Sequence, residues 1–149
     1  MTEPIPENPR KTMAYARLAA QRFGHRFILP EHMLHALLQL EGCMAARVLQ
    51  HLGVDCQDLR QRLESSVRRG SAGDVPGQLP FTPDAARALE HAFDEFKRLG
   101  HNSLLTGHLL LGLLHDPNNG AARTLARAGV TLERARDALT TLPGIRAGA

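Results

Sequence analysis

A chain of 149 residues is long enough to bury a sizeable core without disulfide or metal staples, since folding at this size hides roughly 70% of the unfolded surface. With no Trp, one Tyr and five Phe, the core falls to Leu, Ala and Val, and the Ala and Leu content favours helix over strand. The formal charge of +3 is spread among 15 acids and 18 basic residues in mixed segments, which predicts neither a nucleic-acid stripe nor a DNA-binding role. Two cysteines are too few for a disulfide framework or a four-cysteine zinc site.

Residues 1–12 carry prolines and charges where a signal peptide needs an apolar stretch, and residues 1–9 read as a flexible extension. No apolar run reaches the length of a membrane span, so the expected location is the cytoplasm, with no membrane partner. From there apolar residues recur at spacings of three and four, with Gly and Pro between the runs. The pattern predicts helices near 10–23, 30–41, 43–52 and 55–69, then 83–99, 106–116, 119–128 and 131–141. Thr82-Pro83 makes a helix start, because Thr caps free amides and Pro at the first helical position gives up an amide that had no partner. Asp55 and Thr131 are matching caps after Gly53-Val54 and Gly129-Val130, whose glycines suit a left-handed helix stop. Residues 70–80, rich in Gly, Pro and Ser, form the expected linker, and residues 143–149 a flexible tail.

The halves are copies. Residues 24–63 align on residues 100–139 at a constant offset of 76 with 15 identities in 40 positions and no gap. Gly24-His25 falls on Gly100-His101, His32 on His108, Leu37-Leu38 on Leu113-Leu114, Ala45-Ala46-Arg47 on Ala121-Ala122-Arg123, and Gly53-Val54 on Gly129-Val130. The expected fold is therefore all-α. It is an eight-helix bundle of two tandem four-helix repeats with pseudo-twofold symmetry, repeat one at 10–69 and repeat two at 81–142.

Chemistry is sparse. There is no G-x-x-x-x-G-K-[ST] loop, no G-x-G-x-x-G and no G-x-S-x-G elbow, so no enzyme activity and no cofactor are expected. Pairs such as His25 with His32 or His32 with His35 invite a zinc reading. Yet His25 and His32 recur as His101 and His108 beside helix starts, which favours a structural role repeated by duplication. Cys43, at a helix start amid alanines, reads as a buried inert thiol. Glu90, Asp94 and Glu95 read as an exposed helix face. What remains is surface. Val75, Leu79 and Phe81 stand in or beside the linker, where they either line a groove between the copies or pin the linker to the core. Glu31 opens the second helix, where a carboxylate and free amides lie close together.

The segments Gly24-His25, Glu31-His32-Met33-Leu34-His35-Ala36-Leu37-Leu38, Ala45-Ala46-Arg47-Val48-Leu49, Phe81-Thr82-Pro83, Leu99-Gly100-His101 and His108-Leu109-Leu110-Leu111-Gly112-Leu113-Leu114 resemble the double Clp repeat that forms the amino-terminal domain of Clp ATPases. The resemblance covers about residues 10–142. It implies a helical module that recruits unfolded or tagged protein substrates and adaptor proteins to a Clp ATPase ring without catalysis of its own. In ClpC-type relatives a glutamate at the Glu-His step helps hold phosphoarginine, and Glu31 matches it. In repeat two the matching position is Gly107, and Pro30 replaces the threonine that Thr106 keeps. The expected binding residues are Glu31 and Thr106, at the positions the resemblance marks, and Leu79 and Phe81, from their place beside the linker. The alternative is a free-standing decoy or resistance protein that sequesters peptide-like small molecules or competes with a Clp ATPase for substrates.

Overall fold

The computed structural model describes residues 9–73, 78–101 and 104–142. Among these, eight helices form and no strand does. They are α1 (Pro9–Arg22), α2 (Pro30–Gln39), α3 (Met44–His51), α4 (Cys56–Ser66), α5 (Pro83–Leu99), α6 (Thr106–Leu114), α7 (Gly120–Arg127) and α8 (Leu132–Thr141). Expected helix positions 40–41, 67–69 and 115–116 lie outside them, as do the single end positions 23, 43, 52, 55, 119, 128 and 131. Leu40 leaves the helical region at φ −87°, ψ 88°, and Gly42 follows at φ 75°.

The local signals work as their chemistry predicts. The Thr82 hydroxyl accepts from Ala85 N, Asp55 from Gln57 and Asp58 N, and Thr131 from Arg134 N. Gly53 and Gly129 stop α3 and α7 at φ 84° and 83°, so both third helices end in the same way.

α2 and α6 are the centre of the molecule. All nine α6 residues are buried, as are eight of the ten in α2, the signature of helices enclosed on every side. α1 packs on α2 through Ala16, Ala19 and Ala20, with Phe23 just past its end against His32 and His35, and α5 packs on α6 through Ala85, Ala88 and Ala92. Small residues let these pairs approach closely: a Cβ on Gly112 of α6 would stand 2.2 Å from the Ala88 carbonyl oxygen. The third helices cross between repeats. α3 packs on α6 and α8, whereas α7 packs on α2 and α4. The duplicated units are thus interlocked about the pseudo-twofold axis, and each repeat closes the core of the other.

The histidine pairs hold the starts of the two central helices. Leu29 N donates to His32 Nδ1 at 2.9 Å, so His32 carries its proton on Nε2 and donates to His25 Nδ1, also 2.9 Å away. His25 Nε2 then donates to the Arg68 carbonyl at 2.7 Å. Repeat two repeats the step, with Leu105 N on His108 Nδ1 at 2.8 Å and His108 Nε2 on His101 Nδ1 at 2.6 Å. Burial, with the nearby His25 and His35, lowers the His32 pKa to about 3; burial and His101 lower that of His108 to about 4. Both central imidazoles are therefore neutral caps, which accounts for their recurrence.

Two segments tie the interrepeat chain to repeat one. Gly70 N and Ala72 N donate to the Phe23 and Gly24 carbonyls at 2.8 and 2.9 Å. Beyond residues 74–77, Ile28 and Phe81 form an isolated parallel bridge, with Ile28 N on Pro80 O at 2.8 Å and Thr82 N on Ile28 O at 3.0 Å. Leu79 inserts into the core at 5% exposure, and Val75 lies outside the described residues. No helix among the described residues is long and apolar enough to cross a membrane.

Candidate functional site

Glu31 sits in the first turn of α2, where α7 of the other repeat begins. The contact is close. A Cβ on Gly120, the first residue of α7, would stand 2.5 Å from Glu31 Cδ and 2.6 Å from its Oε2, so only glycine leaves room for the carboxylate. Around it lies a hollow of about 270 Å³ lined by Glu31, Ser66, Gly120, Arg123, Thr124 and Arg127. Ser66, Thr124 and Arg127 continue into a second hollow of about 500 Å³, which reaches Asp58, Arg62 and Ser65 on α4. The result is a polar groove between α4 and α7. Among the described residues, the Glu31 carboxylate has neither a hydrogen bond nor an ion pair.

α7 is built to present its first turn there. Asn119, buried at 3% exposure, accepts from Ala122 N at 2.7 Å and donates to the Leu113 and Asp116 carbonyls, both at 3.0 Å. Thr124 turns its hydroxyl back onto the Gly120 carbonyl at 2.9 Å. A helix start of this kind favours negative charge. Glu31 supplies one such charge, and Arg123 and Arg127 line the same hollow on the following turns of α7.

The pseudosymmetric seam is different in kind. Gly107 replaces Glu31, and Met44, fully buried, replaces Gly120. A Cβ on Gly107 would meet Leu139 Cδ1 at 2.6 Å and Met44 Cγ at 3.1 Å, so that space is already taken by apolar side chains. Where Ser66, Thr124 and Arg127 line the first seam, the second has Leu142, Val48 and His51. Thr106 lies there fully buried, and its Oγ1 accepts from Ala45 N at 3.0 Å. Pro30 stands at the equivalent place in repeat one and has no hydroxyl to offer Ala121 N.

Among the four residues singled out from sequence, only Glu31 and Phe81 reach the surface. Thr106 is a buried cap on α3. Leu79 is a core residue, because the bridge beside it turns its side chain inward. Phe81, 37% exposed, lines neither hollow and stands next to Ile28 instead. Sequence reading missed Ser66, Gly120, Arg123 and Arg127. The signal that finds them is the paired departure of the two copies at 31/107 and 44/120, an acid against glycine meeting a glycine against methionine.

Elsewhere, Cys43 is fully buried with its thiol on the Leu37 carbonyl at 3.6 Å, whereas burial raises the pKa of the half-buried Cys56. No group of three or more potential ligands for a metal exists among the described residues. Glu95, expected on an exposed face, is 1% exposed. It continues the inward stripe of Ala85, Ala88 and Ala92 at helical spacing. It is met by His115 at 2.9 Å and by Arg136, whose Nε lies 3.2 Å from Oε2. Burial pushes the Glu95 pKa up, but the bonds from Arg136 and His115 outweigh it and the net shift is downward.

Comparison with known proteins places this architecture. The family model for the Clp repeat (R) N-terminal domain matches residues 7–128 and again 81–144, two overlapping matches consistent with the duplication. A Clp protease ATP-binding subunit ClpA homolog of Guillardia theta is 38% identical over 144 residues, covering 97% of this chain and 18% of that protein. The chloroplastic chaperone ClpC1 of Arabidopsis thaliana is 37% identical over 144 residues, covering 97% of this chain and 15% of its own length. The chain therefore spans less than one fifth of these relatives. Among solved structures, the Hsp104 N-terminal domain of Candida albicans superposes with a TM-score of 0.78 at 18% identity, covering 98% of this chain and 95% of that one. The ClpV N-domain in complex with a VipB peptide gives 0.63 at 18% identity, with 91% of each chain covered. With the interlocked double repeat, the family-model match and these relatives in agreement, the chain belongs to the Clp repeat N-terminal domain family.

Proposed function

We propose that this chain is a protein-binding module of a Clp unfoldase system, which recruits polypeptide substrates or adaptor proteins and performs no catalysis of its own. The observation that carries the reading is the Glu31 carboxylate, unpaired among the described residues, which faces the first turn of α7 in a polar groove that also holds Arg123 and Arg127. That groove offers both signs of charge within one small hollow. A carboxylate takes a guanidinium or ammonium group, and arginines with helix-start amides take an anion. The peptide complex of the ClpV N-domain, which shares this fold, supports recruitment as the general role.

A phosphorylated arginine side chain carries both charges on one group. Its guanidinium pairs with Glu31 while its phosphate meets Arg123, Arg127 and the amides of Gly120 and Ala121. The second seam has Gly107 in place of Glu31 and is filled there by Met44 and Leu139, so one site per chain is expected. Phe81, exposed beside the Ile28 bridge, supplies a separate apolar contact for a longer client.

Calorimetric titration with free phosphoarginine, with arginine as control, tests this directly. One phosphoarginine per chain is expected, with at least tenfold weaker binding in Glu31→Gln and in Arg123→Ala. Equal binding of arginine, or binding indifferent to both variants, would overturn the seam as the recruitment site.

A further inference from the structure

Repeat two contains an internal standard for reading repeat one. Arg136 of α8 is held by Glu95 of α5, and Glu95 in turn by His115. The equivalent of Arg136 is Arg60 of α4, but Ala19 stands where Glu95 does and Gln39 where His115 does. Repeat one has kept the arginine and lost its acid. Arg60 Nε is buried and unpaired among the described residues. Glu64, one turn on, feels the Arg60 charge, yet its carboxylate is bonded to His35 at 2.8 Å and faces Arg22 at 4.0 Å. A buried guanidinium N–H without an acceptor is costly, so a partner group from a ligand or an ordered water that meets it is favoured.

Arg60 lines a pocket of about 410 Å³ at the start of α4, together with Leu38, Ala46, Cys56, Gln50 and Gln57. It shares no lining residue with the seam groove. We propose that this pocket binds a glutamate or aspartate side chain of a docked polypeptide, which gives Arg60 the carboxylate that Glu95 gives Arg136. The inference rests on reading the chain as a polypeptide-binding module, but it concerns a second face. The surroundings refine the partner. Asp55 is also in the wall, but its Oδ1 is occupied in capping Gln57 and Asp58 N. Glu41 is exposed at the rim and repels a run of acids, so a single acid flanked by neutral or basic residues fits best. Gln50 and Gln57 offer amides to the backbone of such a segment.

The test is arginine side-chain NMR on the whole chain, with Arg136 as internal control. The probes are acetyl-Ala-Gln-Glu-Gln-Ala-amide, the same peptide with glutamine in place of glutamate, and acetate. A saturable shift of the Arg60 Nε–Hε signal with the glutamate peptide alone is expected. Arg60→Gln should abolish the accompanying backbone shifts around Gln50 and Gln57. Ala19→Glu combined with Gln39→His, which transplants the repeat-two arrangement, should block the peptide and raise the melting temperature; if that variant does not fold, Arg60→Gln still decides. An Arg60 signal indifferent to the glutamate peptide, or moved equally by its glutamine counterpart or by acetate, would overturn the proposal. So would an Arg60 signal in the free chain that collapses on Glu64→Gln, because Glu64 would then be its partner. Glu31→Gln should leave the Arg60 response intact, so this pocket and the seam fail or stand separately.

Discussion

The two seams of this molecule start from one plan and end as opposites. In the first, Glu31 meets Gly120 and leaves a polar hollow; in the second, Gly107 meets Met44 and the hollow is filled. Each seam spends one glycine, but on opposite sides. The difference teaches that duplication fixes where a groove lies, whereas two facing residues decide whether it is a site or part of the core. The buried ion clusters diverge similarly. Repeat two locks its α8 arginine to a core glutamate, while repeat one leaves the equivalent arginine on a pocket wall.

The largest expected effect breaks the ion-cluster comparison. Glu95→Ala strands Arg136 and His115 and should cost about 3 kcal/mol, the low end for breaking a buried pair because Arg136 is 20% exposed. Arg60→Gln, which removes an unpaired group, should leave stability unchanged or raised. Chemical denaturation of both variants checks the contrast, and equal losses would show that the two arginines are equally paired.

Met44→Ala empties the filled seam and should cost about 2–4 kcal/mol through lost burial and a residual cavity. Gly120→Ala, its mirror position, should cost less, because the Glu31 carboxylate is the mobile end of its side chain. Even so, the added methyl group should displace that carboxylate and weaken phosphoarginine binding at least tenfold. Denaturation midpoints paired with calorimetry separate the two effects.

The histidine caps set a pH dependence shared by both repeats. His32 and His108 have folded pKa values near 3 and 4, below the unfolded value of 6.5. The unfolded chain therefore binds more protons over that interval, so stability falls as pH drops below 6.5, on the order of a few kcal/mol by pH 4. Glu64, lowered mainly by its bond from His35, and Glu95, lowered despite burial, add loss in the same direction below about 4.5. Urea midpoints between pH 7 and 4 report the slope. His32→Gln should flatten it in part, leaving the share of His108, and a midpoint constant from pH 6.5 to 5 would show that the relays do not titrate as described.

The smallest effect sharpens the reading of Thr106. Thr106→Val removes the acceptor for Ala45 N and should cost about 1 kcal/mol, with no change in binding at the other seam.

Much of this was legible in the chain. The offset of 76 yields the two repeats, Thr82, Asp55 and Thr131 yield helix starts, and the recurrence of His25 and His32 points to structural caps. These are local or periodic signals, each carried by residues within a turn or two of one another. Glu31 was legible as a candidate through its place at the start of the second helix and its match to the Clp-repeat glutamate. Its surroundings were not, because Gly120, Arg123 and Arg127 come from the other repeat, and only the crossing of α7 onto α2 and α4 brings them to it. The same holds for Leu79 and Glu95. Chain position left Leu79 open between a groove and the core, and residue type put Glu95 on a solvated face, whereas the Ile28–Phe81 bridge turns Leu79 inward and Arg136 of a distant helix makes the buried Glu95 tolerable. The sequence by itself determined the helices, their caps and their duplication, because backbone hydrogen bonding and apolar period are read over a few neighbouring residues. Tertiary structure alone decided which seam is open and which charges are paired, because those depend on side chains that meet only when one repeat reaches across the other.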